Sequence, residues 1–236
     1  SSYLTDFSIL QCTSCTHVQS SMASLVPYYK DVISAASLSP LLLRERDQHI
    51  SQLCEFLNCR DPKIFEIGAF TGQYIEHLNS TGYTMVAGLE HSRDSVELAQ
   101  KRGISISQGY LLDDIPDSEL QVDNQIILCF NFLEHVPDPF LFLQRARGIL
   151  AAKTAYFYFT MPSFSYIEDQ NLLQELVPDH ISYFTPLSLR ILFQRSGLEV
   201  VSLTPINNGN DLEIIAKHVK PNISALVGGL YESKTE

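Results

Sequence analysis

The chain has 236 residues, 45% of them hydrophobic, and a formal net charge of −11 at neutral pH. This length suits one sizeable α/β domain with appended segments, and the acidic balance argues against a nucleic-acid binder, because contacts with phosphates need a basic surface. The sequence has no run of about 18 apolar residues and opens without a basic and then apolar leader. We therefore expect a cytoplasmic protein that neither spans a membrane nor is exported and that acts on small molecules.

Residues 1–40 are rich in serine and threonine and show no sustained periodicity, which predicts an arm appended to the main domain. In this arm, Cys12 and Cys15 form a Cys-Thr-Ser-Cys turn that could bind a zinc ion. A structural zinc site needs four ligands, however, and the chain holds no second pair of this spacing. Cys54 and Cys59 lie in a predicted helix, where they are better explained as small buried apolar residues. We expect reduced cysteines and assign no metal ligand.

The segment 41–160 alternates between helix and strand patterns. The first predicted helix, 41–57, is amphipathic. Its sheet-facing side is assigned Leu42, Ile50, Leu53, Phe56 and Leu57, and its solvent side Arg44, Glu45, Arg46 and Asp47. Strands are predicted at 64–67, 84–89, 104–107, 125–130 and 155–160, with helices at 73–78, 94–102 and 140–150 between them. The alternation predicts a doubly wound, mostly parallel α/β sheet with helices on both faces.

The end of the chain follows a different pattern. A helix is predicted at 187–195, followed by strands at 198–203 and 212–217 that a polar turn joins. Two strands joined in this way form a hairpin. We therefore predict that the sheet ends in an antiparallel pair.

The strand at 64–67 ends in a glycine-containing turn. Gly68 allows the chain to turn tightly and a ligand to approach the backbone, while Gly72 allows close packing where the next helix begins. Dinucleotide-binding turns carry a further glycine between these two, where a pyrophosphate contacts the helix N-terminus, but here Phe70 takes that place. Glu66, just before the turn, would repel phosphate and could accept a hydrogen bond from an ammonium or amide group. The turn therefore favours a cofactor that has no pyrophosphate.

A second acid follows the next predicted strand. Glu90 lies about 20 residues beyond the glycine turn, where nucleoside-binding folds of this kind place a carboxylate for the ribose hydroxyls. We expect Glu90 to bind a ribose. The alternative is an exposed acid that caps the next helix.

Polar residues also follow the strand at 125–130. Asn131, Glu134 and His135 lie in a loop that ends at Asp138, a predicted N-cap with proline after it. Open α/β sheets bind ligands at the carboxyl ends of their strands, so these side chains could line the cofactor and the acceptor. The alternative is that they are loop groups bonded to the backbone.

The segment 161–184 is rich in aromatic and acidic residues and is long for a connection between a strand and a helix, which favours a lid or an acceptor-binding wall. It contains Asp179 followed by His180. Histidine suits proton removal because its pKa lies near neutrality, and a neighbouring carboxylate can orient the ring and stabilise its charged form. We predict that His180, oriented by Asp179, is a general base. The alternative is a histidine that pins the segment to the core.

Together these motifs resemble those of the class I S-adenosylmethionine (SAM)-dependent methyltransferases. The motif acid-x-Gly-x-Gly-x-Gly of that class is carried by Glu66, Gly68 and Gly72, without the middle glycine. A Leu-Glu-His segment before a proline-capped helix resembles the fourth motif of the class, and the terminal hairpin resembles the end of its fold. The resemblance implies SAM as cofactor. The cofactor-binding residues that we predict are Glu66, Gly68, Ala69, Phe70, Gly72, Glu90, Asn131 and Glu134.

Two segments resemble the sugar C-methyltransferases more specifically. The residues Cys-Thr-Ser-Cys-Thr-His-Val-Gln from Cys12 onward resemble the second half of an N-terminal zinc-binding module in that family. Val-Pro-Asp-His-Ile-Ser-Tyr-Phe, 177–184, resembles its Tyr-His-Glu-His-x-Ser-Tyr-Phe motif, in which the acid and histidine supply the base, although the first two residues differ. The resemblance implies a nucleotide-linked sugar or a related metabolite as acceptor, methylated on carbon or oxygen. The catalytic candidates are His180, Asp179 and His135.

We therefore divide the chain into an arm (1–40), a SAM-binding core (41–160) and an acceptor-binding segment with the last helix and hairpin (161–236). Two other classes of protein share parts of the pattern. An NAD(P)-dependent reductase or epimerase would want the glycine that Phe70 replaces and would not normally end in the hairpin. A non-catalytic SAM-binding module would keep the glycine turn and would not need His180.

Overall fold

The computed structural model describes residues 8–20, 38–112, 125–150 and 154–219. The strands in these ranges are β1 (Ile9–Gln11), β2 (Val18–Ser20), β3 (Ile64–Ile67), β4 (Val86–Glu90), β5 (Ile106–Gln108), β6 (Ile126–Phe130), β7 (Thr154–Pro162), β8 (Ser182–Tyr183), β9 (Glu199–Ile206) and β10 (Asp211–Val219). The α-helices are α1 (Pro40–Leu57), α2 (Gln73–Ser80), α3 (Arg93–Lys101), α4 (Pro139–Gly148), α5 (Phe164–Asp169) and α6 (Pro186–Arg195). Within these ranges, no helix is both long and apolar enough to cross a membrane.

The central sheet has seven strands in the order β5-β4-β3-β6-β7-β10-β9. The five strands from β5 to β7 are parallel to their neighbours, whereas β10 runs antiparallel to both β7 and β9. The predicted mostly parallel sheet with a terminal antiparallel hairpin is therefore confirmed. The strand order reverses between β3 and β6, and ligands of such sheets bind beyond the carboxyl ends of the strands at this point.

Helices cover both faces of this sheet. Apolar residues of α1, α2 and α3 pack on one face, and those of α4 and α6 pack on the other. The strands β3 and β6 consist almost wholly of buried residues, of which only Phe130 is partly exposed. Continuous apolar runs are typical of parallel strands that are covered on both sides.

Helix α1 departs from the prediction. Arg46, which was assigned to solvent, is only 5% exposed, whereas Phe56, which was assigned to the sheet, is 57% exposed. The buried face consists of Arg46, Ile50 and Leu53, at the spacing of one helical stripe. The prediction was wrong because it placed Arg46 by its charge, while in the structure the guanidinium lies over the ring of Phe130.

Residues 8–20 form structure that their composition did not predict. The strands β1 and β2 form an antiparallel hairpin, and β2 pairs in turn with β8, so that Val18 lies opposite Tyr183. Val18 also packs with Phe164 and Ile167 in a small apolar cluster. This three-stranded sheet joins part of the predicted arm to the segment that is predicted to bind the acceptor. The rest of the arm and the residues after 219 lie outside the described residues.

The predicted helix starts have the expected caps. The Asp138 carboxylate accepts a hydrogen bond from the amide of Leu141 at 2.8 Å, and a proline follows Asp138 in the first turn of α4. Thr185 and Ser188 form a capping box at the start of α6. These caps fix where the loops after β6 and β8 end and so position the site.

Candidate functional site

The turn between β3 and α2 adopts the backbone conformation of a glycine-rich loop. Gly68 and Gly72 both have φ of +75°, and Phe70 between them is also left-handed, with φ of +48°. A Cβ atom at Gly68 would lie 2.6 Å from the ring of Phe132, and one at Gly72 would lie 2.8 Å from the side chain of Ile104. Both glycines are therefore required by close packing as well as by their backbone conformation.

Glu90, at the end of β4, holds this turn in place. Its two carboxylate oxygens accept hydrogen bonds from the amides of Phe70 at 2.9 Å and Ser92 at 2.8 Å, and His91 Nδ1 lies 2.9 Å from the same carboxylate. Burial alone would raise the pKa of Glu90, but the contacts with His91, Ser92 and Phe70 outweigh it and lower the pKa. Glu90 therefore stays ionised. Its oxygens have further lone pairs with which they can accept hydrogen bonds from a ligand.

Beneath the turn, Glu66 and Arg46 are buried within electrostatic range of each other. Burial raises the pKa of Glu66 from 4.5 to about 8, although the positive charge of Arg46 opposes this rise. The Arg46 guanidinium lies 3.6 Å from the ring centroid of Phe130 and 5.2 Å from that of Tyr74, which are cation–π distances. Among the described residues, Glu66 Oε2 and Arg46 Nε have no hydrogen-bond partner. Unsatisfied buried polar atoms are rare in proteins, so this pair indicates a site for a polar ligand.

A small cavity lies beside Glu90, between the ends of β3 and β4 and the loop after β6. Its lining is Ile67, Gly68, Leu89, His91, Gly109, Tyr110, Leu111 and Phe132. The rings of Tyr110 and Phe132 are tilted against each other, with their centroids 6.3 Å apart. Mostly apolar walls with aromatic rings suit a planar, weakly polar group.

The loop after β6 places its three predicted site residues differently. Asn131 is exposed, and its side-chain oxygen accepts a hydrogen bond from the Thr160 hydroxyl at 3.2 Å. Glu134 and His135 belong to a short 3-10 turn, in which Glu134 is buried and His135 is partly buried. Asn131 is thus bonded to the neighbouring strand, whereas the other two contribute to the interior of the site.

Residues 177–183 form a compact loop that carries Asp179 and His180. The amide of His180 donates a hydrogen bond to the carbonyl of Val177 at 3.1 Å. The hydroxyl of Tyr183 donates to the same carbonyl, also at 3.1 Å. These two bonds close the loop on itself and fix the backbone on both sides of His180.

A hydrogen bond between backbone groups joins this loop to the loop after β6. The amide of Ile181 donates to the carbonyl of Glu134 at 2.8 Å. As a result, the rings of His135 and His180 meet edge to face, with their centroids 4.8 Å apart. Two histidines that are 45 positions apart in the chain therefore share one site, next to Glu134.

Asp179 lies against His135, whereas the sequence predicted that it orients His180. His135 Nδ1 donates a hydrogen bond to the backbone carbonyl of Asp179 at 2.9 Å and lies 3.7 Å from its carboxylate. A carbonyl oxygen only accepts hydrogen bonds, so Nδ1 carries the proton of the neutral ring and Nε2 is the basic nitrogen. His135 Nε2 lies 3.9 Å from Glu134 Oε1. The hydrogen bonds within the loop 177–183 orient Asp179, so that the Asp179 carbonyl faces the 3-10 turn that carries His135.

Burial dominates the titration of this group. It raises the pKa of Glu134 from 4.5 to about 8. It lowers the pKa of His180 from 6.5 to about 4, and the neighbouring His135 lowers that pKa further while Asp179 opposes the change. The pKa of His135 is also lowered, chiefly by burial. At neutral pH both imidazoles are therefore uncharged, which is the form in which a ring nitrogen offers a lone pair.

Sequence reasoning missed two contributors to the site. One is Arg46. Its burial could have been predicted from its position four residues before the buried Ile50, on the same helical stripe. The other is the pairing of β2 with β8, which supports the loop that carries His180. Strands this far apart in the chain leave no local sequence pattern that shows their pairing, so the pairing of β2 with β8 could not be predicted.

Comparison with known proteins agrees with this geometry. Residues 42–203 match a family model described as "Methyltransferase domain". No curated protein sequence matches the chain significantly. A SAM-dependent methyltransferase from Aquifex aeolicus has a similar structure, with a TM-score of 0.55 and 14% identity over 78% of this chain and 100% of that chain.

Two further solved structures are similar to this chain. A SAM-dependent methyltransferase from Thermotoga maritima, described as a possible histamine N-methyltransferase, has a TM-score of 0.53 and 21% identity, over 75% of this chain and 90% of that chain. The plantazolicin methyltransferase BamL, in complex with a triazolic desmethylPZN analog and SAH, has a TM-score of 0.62 and 13% identity, over 75% of this chain and 85% of that chain. At these identities the likeness concerns the fold.

The strand order and the glycine turn at the carboxyl end of β3 define a class I methyltransferase fold. The family model covers more than half of the chain, so the chain belongs to the methyltransferase-domain family and is an enzyme. Its cofactor is SAM, as the resemblance of the glycine turn implied. The predicted class is therefore confirmed.

Proposed function

We propose that this enzyme transfers the methyl group of SAM to a small polar acceptor, a nucleotide-linked sugar or a related sugar-derived metabolite, with His180 as the general base. The observation that carries the proposal is the position of the His135 and His180 rings, 4.8 Å apart, where the loop 177–183 meets the loop that follows β6. That loop lies at the edge of the sheet where ligands of this fold bind. The sugar-type acceptor is supported by the resemblance of residues 177–184 to the sugar C-methyltransferases and by the acidic charge of the chain, which disfavours nucleic acids.

The residues around the glycine turn fit the polar groups of SAM. Glu66, with its unsatisfied oxygen, suits the ammonium, and the guanidinium of Arg46 suits the carboxylate because it can bind two oxygens at once. Glu90 suits the ribose hydroxyls, and the apolar walls of the small cavity beside it suit the faces of the adenine ring once the cavity widens. When bound, SAM supplies an electrophilic methyl group on its sulfonium. Phe70 and Ala69 would contribute their backbone to the same site.

The acceptor must lose a proton as its carbon or oxygen bonds to the methyl carbon. A neutral His180 takes this proton on a ring nitrogen while the bond between the methyl group and sulfur breaks. The charge of Asp179 favours the protonated form of His180, which stabilises the imidazolium that results. Asp179 also fixes the ring of His135, against which His180 packs. In this scheme His135 and Asp179 are positioning residues.

Replacing Glu90 with alanine is expected to weaken SAM binding by about 1.5 to 3 kcal/mol, the range for a hydrogen bond to a charged group. The reason is the loss of the carboxylate that accepts the ribose hydroxyls and holds the turn through Phe70. Calorimetric titration with SAM measures the change.

Glu90→Gln is the matched variant, since it keeps the size of the side chain and one acceptor oxygen. We expect it to bind SAM with an affinity between those of the wild type and Glu90→Ala. Unchanged affinity in both variants would remove Glu90 from the SAM site. NAD serves as the negative control. Tight binding of NAD would favour a reductase or epimerase.

The proposed acceptor class is tested by incubating the full chain with SAM and a panel of nucleotide-linked sugars, including 4-keto sugars. We expect a methylated nucleotide sugar and an equal amount of S-adenosylhomocysteine, both measured by mass spectrometry. Methylation of amines or peptides in a parallel panel, without methylation of any sugar, would overturn the acceptor class. It would leave the methyltransferase assignment intact.

A further inference from the structure

We propose that Glu134, His135 and His180 form a binding site for a divalent transition-metal ion. Each side chain offers one ligand atom, and the three atoms all lie within 4.8 Å of one another. Neither a metal-binding motif nor a regular spacing connects these residues, because His180 follows the other two by 45 positions or more. Two hydrogen bonds between distant loops bring them together, one from the Ile181 amide to the Glu134 carbonyl and one from His135 Nδ1 to the Asp179 carbonyl.

Two unsatisfied buried atoms belong to this group of residues. Glu134 is 2% exposed, and its Oε2 has no hydrogen-bond partner among the described residues. His180 Nδ1 is likewise buried and without a partner within the same ranges. A buried polar atom left unsatisfied costs about 1 to 3 kcal/mol, so two of them beside a third potential ligand indicate that a bound species completes the site.

The surroundings of His135 are those of a metal ligand. A histidine that binds a metal through one nitrogen almost always donates its other ring N–H to a carbonyl or a carboxylate. His135 Nδ1 makes this bond to the Asp179 carbonyl at 2.9 Å, with the Asp179 carboxylate 3.7 Å away. His135 Nε2 lies 3.9 Å from Glu134 Oε1, so this nitrogen is near the second residue of the proposed ligand group.

The ligand set selects a class of ion. Two imidazoles and one carboxylate suit Zn²⁺, Co²⁺, Ni²⁺ and Fe²⁺, whereas Mg²⁺ and Ca²⁺ prefer oxygen ligands alone. Three protein ligands leave at least one coordination position open to water or to another oxygen. The ligand atoms lie within 4.8 Å of one another, whereas the edges of a tetrahedral zinc site are about 3.3 to 3.6 Å, so these distances need to shorten by at most about 1.5 Å.

The proposed ion uses the same nitrogen lone pairs that a base needs, so ion binding and base catalysis by His180 exclude each other. The metal-site proposal is argued from geometry and does not depend on the proposed function. If both proposals hold, saturation with Zn²⁺ slows the methyl transfer that depends on His180. An ion that binds here and does not slow the reaction would overturn the base role of His180 and leave the metal site standing.

The test measures Co²⁺ binding to the full chain after it has been stripped with a chelator. A background variant, Cys12→Ser with Cys15→Ser, removes these two thiols as a competing site. We expect one Co²⁺ per chain, with visible absorption bands of Co²⁺ in a nitrogen and oxygen environment, displacement by Zn²⁺ and no displacement by Mg²⁺. Glu134→Gln, which keeps the side-chain shape, and His180→Ala should each weaken binding by roughly tenfold or more.

The matched control is His77→Asn. His77 is a partly exposed histidine that pairs with a carboxylate elsewhere, at 2.8 Å from Asp47, and its replacement should leave Co²⁺ binding unchanged. Absence of stoichiometric Co²⁺ binding in the background variant would overturn the site. Binding that survives both Glu134→Gln and His180→Ala would also overturn it.

Discussion

Replacing His180 with alanine is expected to lower the turnover number by roughly 10² to 10⁴, the contribution of a positioned general base, and to leave SAM affinity nearly intact. The effect falls on turnover because His180 lies on the loop 177–183, while the residues proposed to hold SAM surround the glycine turn. Turnover and SAM affinity are measured separately on metal-stripped protein, so that a bound ion does not affect the comparison. A loss of both in equal measure would indicate a structural role instead.

The control for this variant is His77→Ala, which removes a histidine outside the proposed site and should keep full turnover. If the acceptor is a ketone methylated on carbon, the wild type should also exchange the hydrogen next to the carbonyl with solvent deuterium in the absence of SAM. His180→Ala should abolish that exchange. Full turnover in His180→Ala would make His135, whose Nε2 is its basic nitrogen, the next residue to test.

Replacing Glu66 with glutamine is expected to stabilise the protein near neutral pH and to weaken SAM binding. Burial raises the pKa of Glu66 to about 8, so the folded state favours the protonated form more than the unfolded state does. An acid whose pKa is raised on folding contributes no penalty below its unfolded pKa, and it destabilises increasingly as the pH rises from about 4.5 toward 8. Glutamine lacks this penalty, which amounts to the order of 3 kcal/mol at pH 7.

Urea unfolding of both proteins from pH 5 to about pH 9.5 measures this difference. The free energy of unfolding of Glu66→Gln should exceed that of the wild type by an amount that grows with pH and levels off above pH 8. Glu134 also has a pKa raised to about 8, but it contributes equally to both proteins and cancels in the comparison. Equal stability across this pH range would contradict the burial of a protonated Glu66.

The same pKa has a consequence for SAM binding. An ammonium placed beside Glu66 favours its carboxylate form, so SAM binding at pH 7 should release a proton from this residue. Calorimetry in buffers of different ionisation enthalpy detects the release. Glu66→Gln should bind SAM more weakly and should release no proton on binding. A proton release that persists in the variant would come from another group.

Most of the sheet could be predicted because each of its parts carries a local pattern. The buried runs of β3 and β6 have no polar alternation, which is typical of strands covered on both faces. Asp138 before a proline marked a helix start that the structure confirms. Gly68 and Gly72 marked a turn whose backbone is left-handed at both positions.

The conformation of Phe70 shows where local pattern fails. Its side chain suggested a departure from the glycine-rich motif, yet its backbone is left-handed with φ of +48°. A non-glycine residue in this conformation is strained, and other interactions must offset the strain. At Phe70 the backbone amide donates a hydrogen bond to Glu90, 20 positions later. The sequence predicted both residues as site residues without indicating that one holds the other.

By itself, the sequence determined the order and type of the main helices and strands, the glycine turn and the acids beside it, because these depend on spacing over a few residues. The tertiary structure decided which polar groups meet. It buried Arg46 near Glu66, turned Asp179 toward His135 and brought the loop that carries His180 against Glu134. Such contacts depend on how distant segments pack, and burial in that packing then shifts the pKa values that govern the chemistry.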